Sequence, residues 1–387
     1  MKPFTLFYTF LSALLYLLAL VPLLWLISKP KYRKSIPARF FLRANPPFKR
    51  KGVWFHVCSL GEARALKPVL GQLNGYPINI TVITQTGYHE SKKYGAQVRY
   101  LPYEMFLPFW ITRQPLLVVL EAEFWYLLFA AARAKGAKVV LLNARMTEKS
   151  YPKYRRLKWF YSRLFDRVDK IFCQSEADRQ RFESLGAGNI EVIGNIKLAQ
   201  KVTTTALYDK PEGEVIVAAS THDGEEYAII KAFLNYRRQK SSKLIIVPRH
   251  PERFGTVWKL ITENAKELNF SRWSVAKTFD SDIILVDAMG ELNNMYAISD
   301  IAILGGAFRD DVGGHNPLEP AHFGCKIITG KHAYMQQELF KYVSNVQKVD
   351  TDSIEEALAR CSTMESSQIM ERIDLERVVD YLKENYN

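Results

Sequence analysis

Short apolar runs recur along most of the chain, each closed by a turn rich in glycine, proline or charge and followed by a helical pattern. Segments 53–57 (VWFHV), 78–84 (INITVIT), 116–120 (LLVVL), 138–142, 170–173 and 190–193 read as strands. The helical patterns between them predict βαβ crossovers and a parallel sheet covered on both faces. A polar stretch at 197–213, with little apolar periodicity, then reads as a linker. The rhythm restarts at 215–218, 243–247, 283–286, 301–304 and 326–329, and a charged amphipathic helix near 369–386 ends the chain. The expected divisions are a membrane anchor with its basic flank at 1–35, an α/β domain at 36–196, the linker at 197–213 and a second α/β domain at 214–387.

Ahead of all this, 4–28 contains no charged residue and is long enough to cross a hydrocarbon core of about 30 Å as a helix. A cleaved signal peptide fits poorly, because the apolar region is too long and no small-x-small site precedes the charges. Segment 29–51 then carries nine basic residues and no acidic one. The positive-inside rule places that flank and everything after it in the cytoplasm, and the flank attracts anionic lipid. A helix that dips into the membrane without spanning it, and one packed on a domain, are the alternatives.

The 387 residues are enough for two cores, and the net charge of +13 calls for an anionic partner. Cys58, Cys173, Cys325 and Cys361 are too scattered for a disulfide or zinc framework. The D-x-D spacings at 280–282 and 350–352 sit at a strand start and a helix start, so no metal site is expected. Aromatic and basic residues interleave over 146–167. An N-terminal membrane segment on the same chain favours a lipid-facing surface there over nucleic-acid stacking.

In open α/β sheets ligands bind beyond the carboxyl ends of the strands. The polar turns at 59–62, 220–226, 249–253, 290–291 and 305–319 all follow such ends. Glu62, three residues after Ser59, is either a capping-box glutamate or a general base at a cleft edge. Arg249, His250 and Arg253 offer cations for a phosphate or carboxylate. Glu121 and Glu123 share a side-chain direction if their strand runs on, to orient a substrate or cap the next helix. In 301–321 (IAILGGAFRDDVGGHNPLEPA) a strand and glycine turns lead to an expected helix start, with Asn316 as N-cap, Pro317 first and Glu319 third. That arrangement predicts backbone N–H groups aimed at an anion. His222 and His315 are better placed for ligand contact than His89 or His332.

The segments STHDGEE (220–226), PRHPERF (248–254), GEL with Tyr296 (290–292), GGHNPLEPA (313–321), SLGE (59–62), LPYE (101–104), NAR (143–145) and GNIK (194–197) together resemble the 3-deoxy-D-manno-octulosonic acid (Kdo) transferases of lipopolysaccharide synthesis. The resemblance implies a GT-B fold, two Rossmann-like α/β domains facing a central cleft, behind an N-terminal membrane helix. It implies inverting transfer of Kdo from CMP-Kdo to the glucosamine disaccharide of the lipid A precursor, lipid IVA, at the cytoplasmic face of the inner membrane. No metal or other cofactor is implied, and no nucleic-acid partner. Carried over by position, Glu62 is the base. Arg249, His250, Gly290 and Glu291 line the donor site, Asn316 and Glu319 hold the nucleotide, and Ser220, Thr221 and His222 lie nearby. Ser59, Gly61, Glu121, Glu123 and Arg145 fall on the acceptor side. Tyr126 stands where the family has proline after its E-T-E-L-W stretch. The rival readings are a GT-B enzyme using a UDP-sugar on a lipid acceptor, and a membrane-tethered basic binding protein without catalysis.

Overall fold

The computed structural model describes residues 3–30, 32–199, 202–371, 373 and 375–386. Lys31 of the basic flank and residues 200 and 201 of the expected linker lie outside them. The chain forms two compact units: Met1–Gln200 with Ile373–Asn387, and Lys201–Arg372.

The first unit is built on strands β1 (Val53–Val57), β2 (Ile78–Val82), β3 (Gln97–Tyr100), β4 (Leu116–Leu120), β5 (Lys138–Ala144), β6 (Lys170–Cys173) and β7 (Ile190–Val192). They form one parallel sheet in the order β3-β2-β1-β4-β5-β6-β7. The two-residue period of a strand sorts its side chains between two cores. Trp54 packs with Leu117, Val119 and Phe129 on one face, and Val53, Phe55 and Val57 pack with Val118, Leu120 and Leu66 on the other.

The second unit repeats the plan. Strands β8 (Glu214–Thr221), β9 (Ser242–Pro248), β10 (Phe270–Arg272), β11 (Ile283–Leu285), β12 (Ile301–Leu304), β13 (Lys326–Gly330) and β14 (Val346–Val349) form a parallel sheet in the order β10-β11-β9-β8-β12-β13-β14. Both units are Rossmann-like, and the fold class is that of GT-B glycosyltransferases.

Three strands escape the sequence pattern, β3, β10 and β14, and all three lie at sheet edges. An edge strand is half-solvated and carries polar residues that discourage further pairing, here Gln97 and Arg99, Ser271 and Arg272, Gln347 and Lys348.

The divisions also shift. The last helix covers Glu376–Glu384, and Ile369, expected inside it, instead bridges Val343. This helix belongs to the first unit, not to a domain running 214–387. Val378, Val379 and Leu382 fill a gap in the core around Phe55 and Val118. Little of 197–213 is free linker. Lys197 is tied to Glu121 at 2.9 Å, while the N–H groups of Thr205 and Ala206 donate to Asn294 Oδ1 and the Tyr208 hydroxyl donates to Glu291.

The N-terminal apolar stretch is a helix, α1 (Pro3–Ile27), followed by α2 (Ser35–Phe40). By length and composition α1 suffices to cross a membrane. It also lies against the first unit. Thr5 Oγ1 is 3.0 Å from the Tyr126 hydroxyl, the Tyr8 hydroxyl donates to Glu104 at 2.7 Å, and that of Tyr16 donates to the Phe40 carbonyl at 2.7 Å.

Candidate active site

In the first unit the strand order reverses between β1 and β4, so the crevice beyond their carboxyl ends is the expected ligand position. Ser59 and Glu62 follow β1; Glu121 follows β4. Ser59 is the N-cap of α3 (Leu60–Ala65). Its hydroxyl accepts from the Glu62 N–H at 3.3 Å and donates to Glu62 Oε1 at 2.9 Å. Oε2 accepts the Cys58 N–H at 2.7 Å. Glu62 therefore takes part in capping, but its carboxylate reaches past the Ser59 N–H of a capping box to that of Cys58, and these hydrogen bonds fix it at the switch point. The side chain is 9% exposed. Burial raises its pKa to about 7, against the pull of the Cys58 N–H and the Ser59 hydroxyl, with Glu121 and Glu123 adding to the rise. A carboxylate so tuned changes protonation near neutrality, which suits a general base. Beside it Gly61 is exposed, and a side chain there would meet only Ser59 Oγ, at 3.9 Å, so space next to the carboxylate is open.

The two glutamates after β4 do not share a direction. The strand ends at Leu120, and Glu121 turns into the left-handed region at φ 54°. Its carboxylate meets Lys197 Nζ at 2.9 Å and Arg145 Nε at 3.1 Å. Glu123 instead accepts the Trp125 indole N–H at 2.7 Å. Neither caps the following helix, whose N-cap is Trp125. His56 lies 3.9 Å from Glu123, but burial drops its pKa to about 3, so the contact joins a neutral imidazole to a carboxylate. Lys197, which no reading of the residues singled out, completes the Glu121 cluster. It is the last residue of GNIK, the segment that carried its only signal.

In the second unit the reversal falls between β8 and β12. Ser220, in the left-handed region at φ 53°, and Thr221 end β8; Gly305 and Gly306 follow β12. Left-handed non-glycine residues thus mark both crevices, as strain often does at functional sites. The glycine turn is not the open anion cradle that the sequence predicts. Glu225 already occupies it, accepting from Gly306 N–H at 2.8 Å and from His222 N–H at 2.9 Å. The glycines serve close packing: a Cβ on Gly305 would stand 2.7 Å from Glu225 Oε2 and 2.8 Å from the Ser220 carbonyl. One on Gly313 would strike Met335 and Tyr334.

Asn316 still caps, accepting the Leu318 N–H at 3.0 Å, but the helix starts at Leu318 with Pro317 ahead of it. Its amide donates to Glu319 at 3.3 Å. Basic side chains line the other side of the crevice. Arg249 and His250 are exposed at the end of β9. Arg253 is committed to Asp223 at 2.7 Å and Glu226 at 2.9 Å, and Thr221 also donates to Glu226. The imidazoles of His222 and His315 stack, their Nε2 atoms 2.9 Å apart. Burial first, then neighbouring cations including Arg249, lowers both pKa values, that of His315 to about 4. Gly290 has φ 90°, a conformation that favours glycine. Glu291 accepts from Tyr208 and Asn294 and anchors the start of the unit. The D-x-D carboxylates are engaged elsewhere, Asp282 with Arg237 and Asp350 with Lys331.

Residues 34–200 match the family described as 3-deoxy-D-manno-octulosonic-acid transferase (kdotransferase). The chain is 32% identical to a 3-deoxy-D-manno-octulosonic acid transferase of Haemophilus influenzae, over 92% of each chain. With one of Bordetella pertussis it shares 32% identity over 81% of each. Among solved structures, the glycotransferase of kitacinnamycin aligns with a TM-score of 0.50 at 10% identity, covering 87% of this chain and all of that one. A putative UDP-N-acetylglucosamine 2-epimerase from Listeria monocytogenes aligns with a TM-score of 0.50 at 9% identity, over 81% of this chain and 88% of its own. These two likenesses concern the fold alone.

Proposed function

Because the chain belongs to the 3-deoxy-D-manno-octulosonic acid (Kdo) transferase family and is a glycosyltransferase, we propose that it moves Kdo from CMP-Kdo to the lipid A precursor, with inversion, at the cytoplasmic face of the inner membrane. The observation that carries the proposal is the Glu62 carboxylate, fixed by Cys58 and Ser59 at the switch point and brought by burial to a pKa of about 7. In this reading the acceptor hydroxyl attacks the anomeric carbon of Kdo while Glu62 takes its proton. The bond from that carbon to the CMP phosphate oxygen breaks, its electron pair stays on the phosphate, and CMP departs as a monoester. Inversion follows from a single displacement.

Arg249 and His250, exposed at the end of β9, are proposed to neutralise the leaving phosphate. Asn316, Glu319, Gly290 and Glu291 are proposed to shape the nucleotide end, with Ser220, Thr221 and His222 nearby. With cations supplying the neutralisation, no divalent metal is required of the proposed reaction. Glu121, held by Lys197 and Arg145, and Glu123 border the proposed acceptor side. The anionic acceptor and membrane surface account for the excess of 53 Lys and Arg over 40 Asp and Glu.

Incubation of the full chain with CMP-Kdo and lipid IVA, read by mass spectrometry of the lipid and by nucleotide release, tests the reading. Kdo added with one CMP released per sugar is the expected result. Release of UDP from a UDP-sugar instead, with CMP-Kdo left intact, would overturn the donor assignment.

A further inference from the structure

The hydroxyl-bearing residues of α1 all lie on the side that meets protein, and the opposite side is apolar. At about 100° per residue, Thr5, Tyr8, Thr9, Ser12, Tyr16 and Leu23 fall on one arc, and all six are buried or half-buried, as are the apolar Phe4, Ala13, Ala19, Leu20, Leu26 and Ile27. Opposite them, Phe7, Phe10, Leu14, Leu17, Val21 and Trp25 are exposed, and no polar residue interrupts their arc. A helix on a water-soluble surface has the reverse polarity.

The partners of the inner arc are polar groups of the α/β unit itself. Glu104 takes the Tyr8 hydroxyl, and Arg167 reaches the Tyr126 hydroxyl at 2.6 Å, beside Thr5. The Tyr103 hydroxyl donates to the Ser12 carbonyl at 3.3 Å. These contacts cover the first half of the helix. Near its start Phe4 meets Trp159 edge-on, with ring centroids 6.0 Å apart, and further along Tyr16 meets Phe106 at 5.3 Å.

This helix, about 37 Å long, therefore rests on the globular unit from Phe4 to Tyr16, and Leu23 is buried further along. A bilayer-crossing orientation would carry the surface bearing Arg167 and Glu104 into hydrocarbon, or strip α1 from every one of these contacts. The charges agree. Past the end of α1, Lys29 lies over the Trp25 ring and Arg33, Lys34 and Arg43 are exposed. Near its start, Arg155, Arg156 and Lys158 are exposed next to Trp159. A spanning helix concentrates basic residues at its cytoplasmic end, whereas one lying in the interface meets headgroups at both ends.

We infer that α1 does not cross the membrane. It lies in the plane of one leaflet, docked on the first unit, with its outer arc among the acyl chains and the flanking basic residues against anionic headgroups. The inference rests on the membrane part of the proposed function and is independent of its chemistry.

Nitroxide labels on Phe7→Cys, Leu14→Cys and Val21→Cys, each in the full chain on vesicles of phosphatidylethanolamine and phosphatidylglycerol, test it. These positions are one heptad apart on the exposed arc, and none touches the proposed site. Labelled unsubstituted protein serves as the blank for Cys58, the half-buried thiol. The expected result is the same shallow depth for all three labels, with an N-terminal epitope open to protease from the side that carries the catalytic units. A label at position 14 buried deepest between two shallower ones, an epitope reached only from the opposite side, or three labels in water would each overturn the inference. Kdo transfer is assayed separately. Uniform depth with no transfer sinks the chemistry and leaves the helix in plane, and the converse pattern does the opposite.

Discussion

Replacing Glu62 by glutamine separates its electrostatic role from its role as a cap. The ionised carboxylate is disfavoured in the folded protein, since burial raises its pKa from 4.5 to about 7. At about 1.4 kcal/mol for each tenfold change in proton affinity, that rise amounts to roughly 3 kcal/mol. The folded pKa lies above the unfolded one, so the stabilisation is complete below about pH 4.5 and is lost as the pH climbs through 7. Glutamine keeps the shape and does not ionise. The variant is therefore expected to gain on the wild type between pH 5 and pH 8, by an amount approaching 3 kcal/mol and reduced by weaker hydrogen bonds from Cys58 and Ser59. Denaturant midpoints of the detergent-solubilised protein at the two pH values measure this gain. Activity runs the other way: wild-type kcat/KM rises with pH through about 7 as the base ionises, and Glu62→Gln loses about 10²- to 10⁴-fold. A wild-type profile flat from pH 5.5 to 8, or a stability difference that ignores pH, would refute the reasoning.

Arg249→Ala is expected to raise KM for CMP-Kdo by about tenfold or more through loss of a charge-assisted contact, leaving the acidic limb of the pH profile in place; steady-state kinetics at several pH values checks both halves. Gly305→Ala forces a methyl to within 2.7 Å of Glu225 Oε2 and 2.8 Å of a backbone carbonyl. A destabilisation of about 1–3 kcal/mol is expected, read from the unfolding midpoint. Treatment with EDTA is expected to leave Kdo transfer within twofold of its untreated rate, since the proposed neutralising groups are side chains; a loss restored by one added divalent ion would contradict this.

Central strands were plain in the sequence because burial on both faces demands unbroken apolar runs such as Leu116–Leu120. Edge strands such as β14, with Gln347 and Lys348, look like loops because half of each faces water. Glu62 and Ser59 were legible as a pair, since capping is local and three residues span it. Glu225 in the glycine turn was not, because its partner Gly306 lies 81 residues away. The same holds for Lys197 on Glu121, 76 residues apart. The inward polar arc of α1 was written in its spacing, Thr5, Ser12 and Tyr16, but only the docked unit reveals which side faces protein.

The return of the last helix to the first unit bears on how the protein is made. A ribosome releases β1 to β7 early, yet the seat of Val378, Val379 and Leu382 stays bare until those residues emerge, about 185 positions after β7. The second unit, Lys201–Arg372, has by then emerged whole. The unit begun first thus completes its core only after the second has emerged, and removing residues 376–387 would unroof the unit that carries Glu62 while sparing the other.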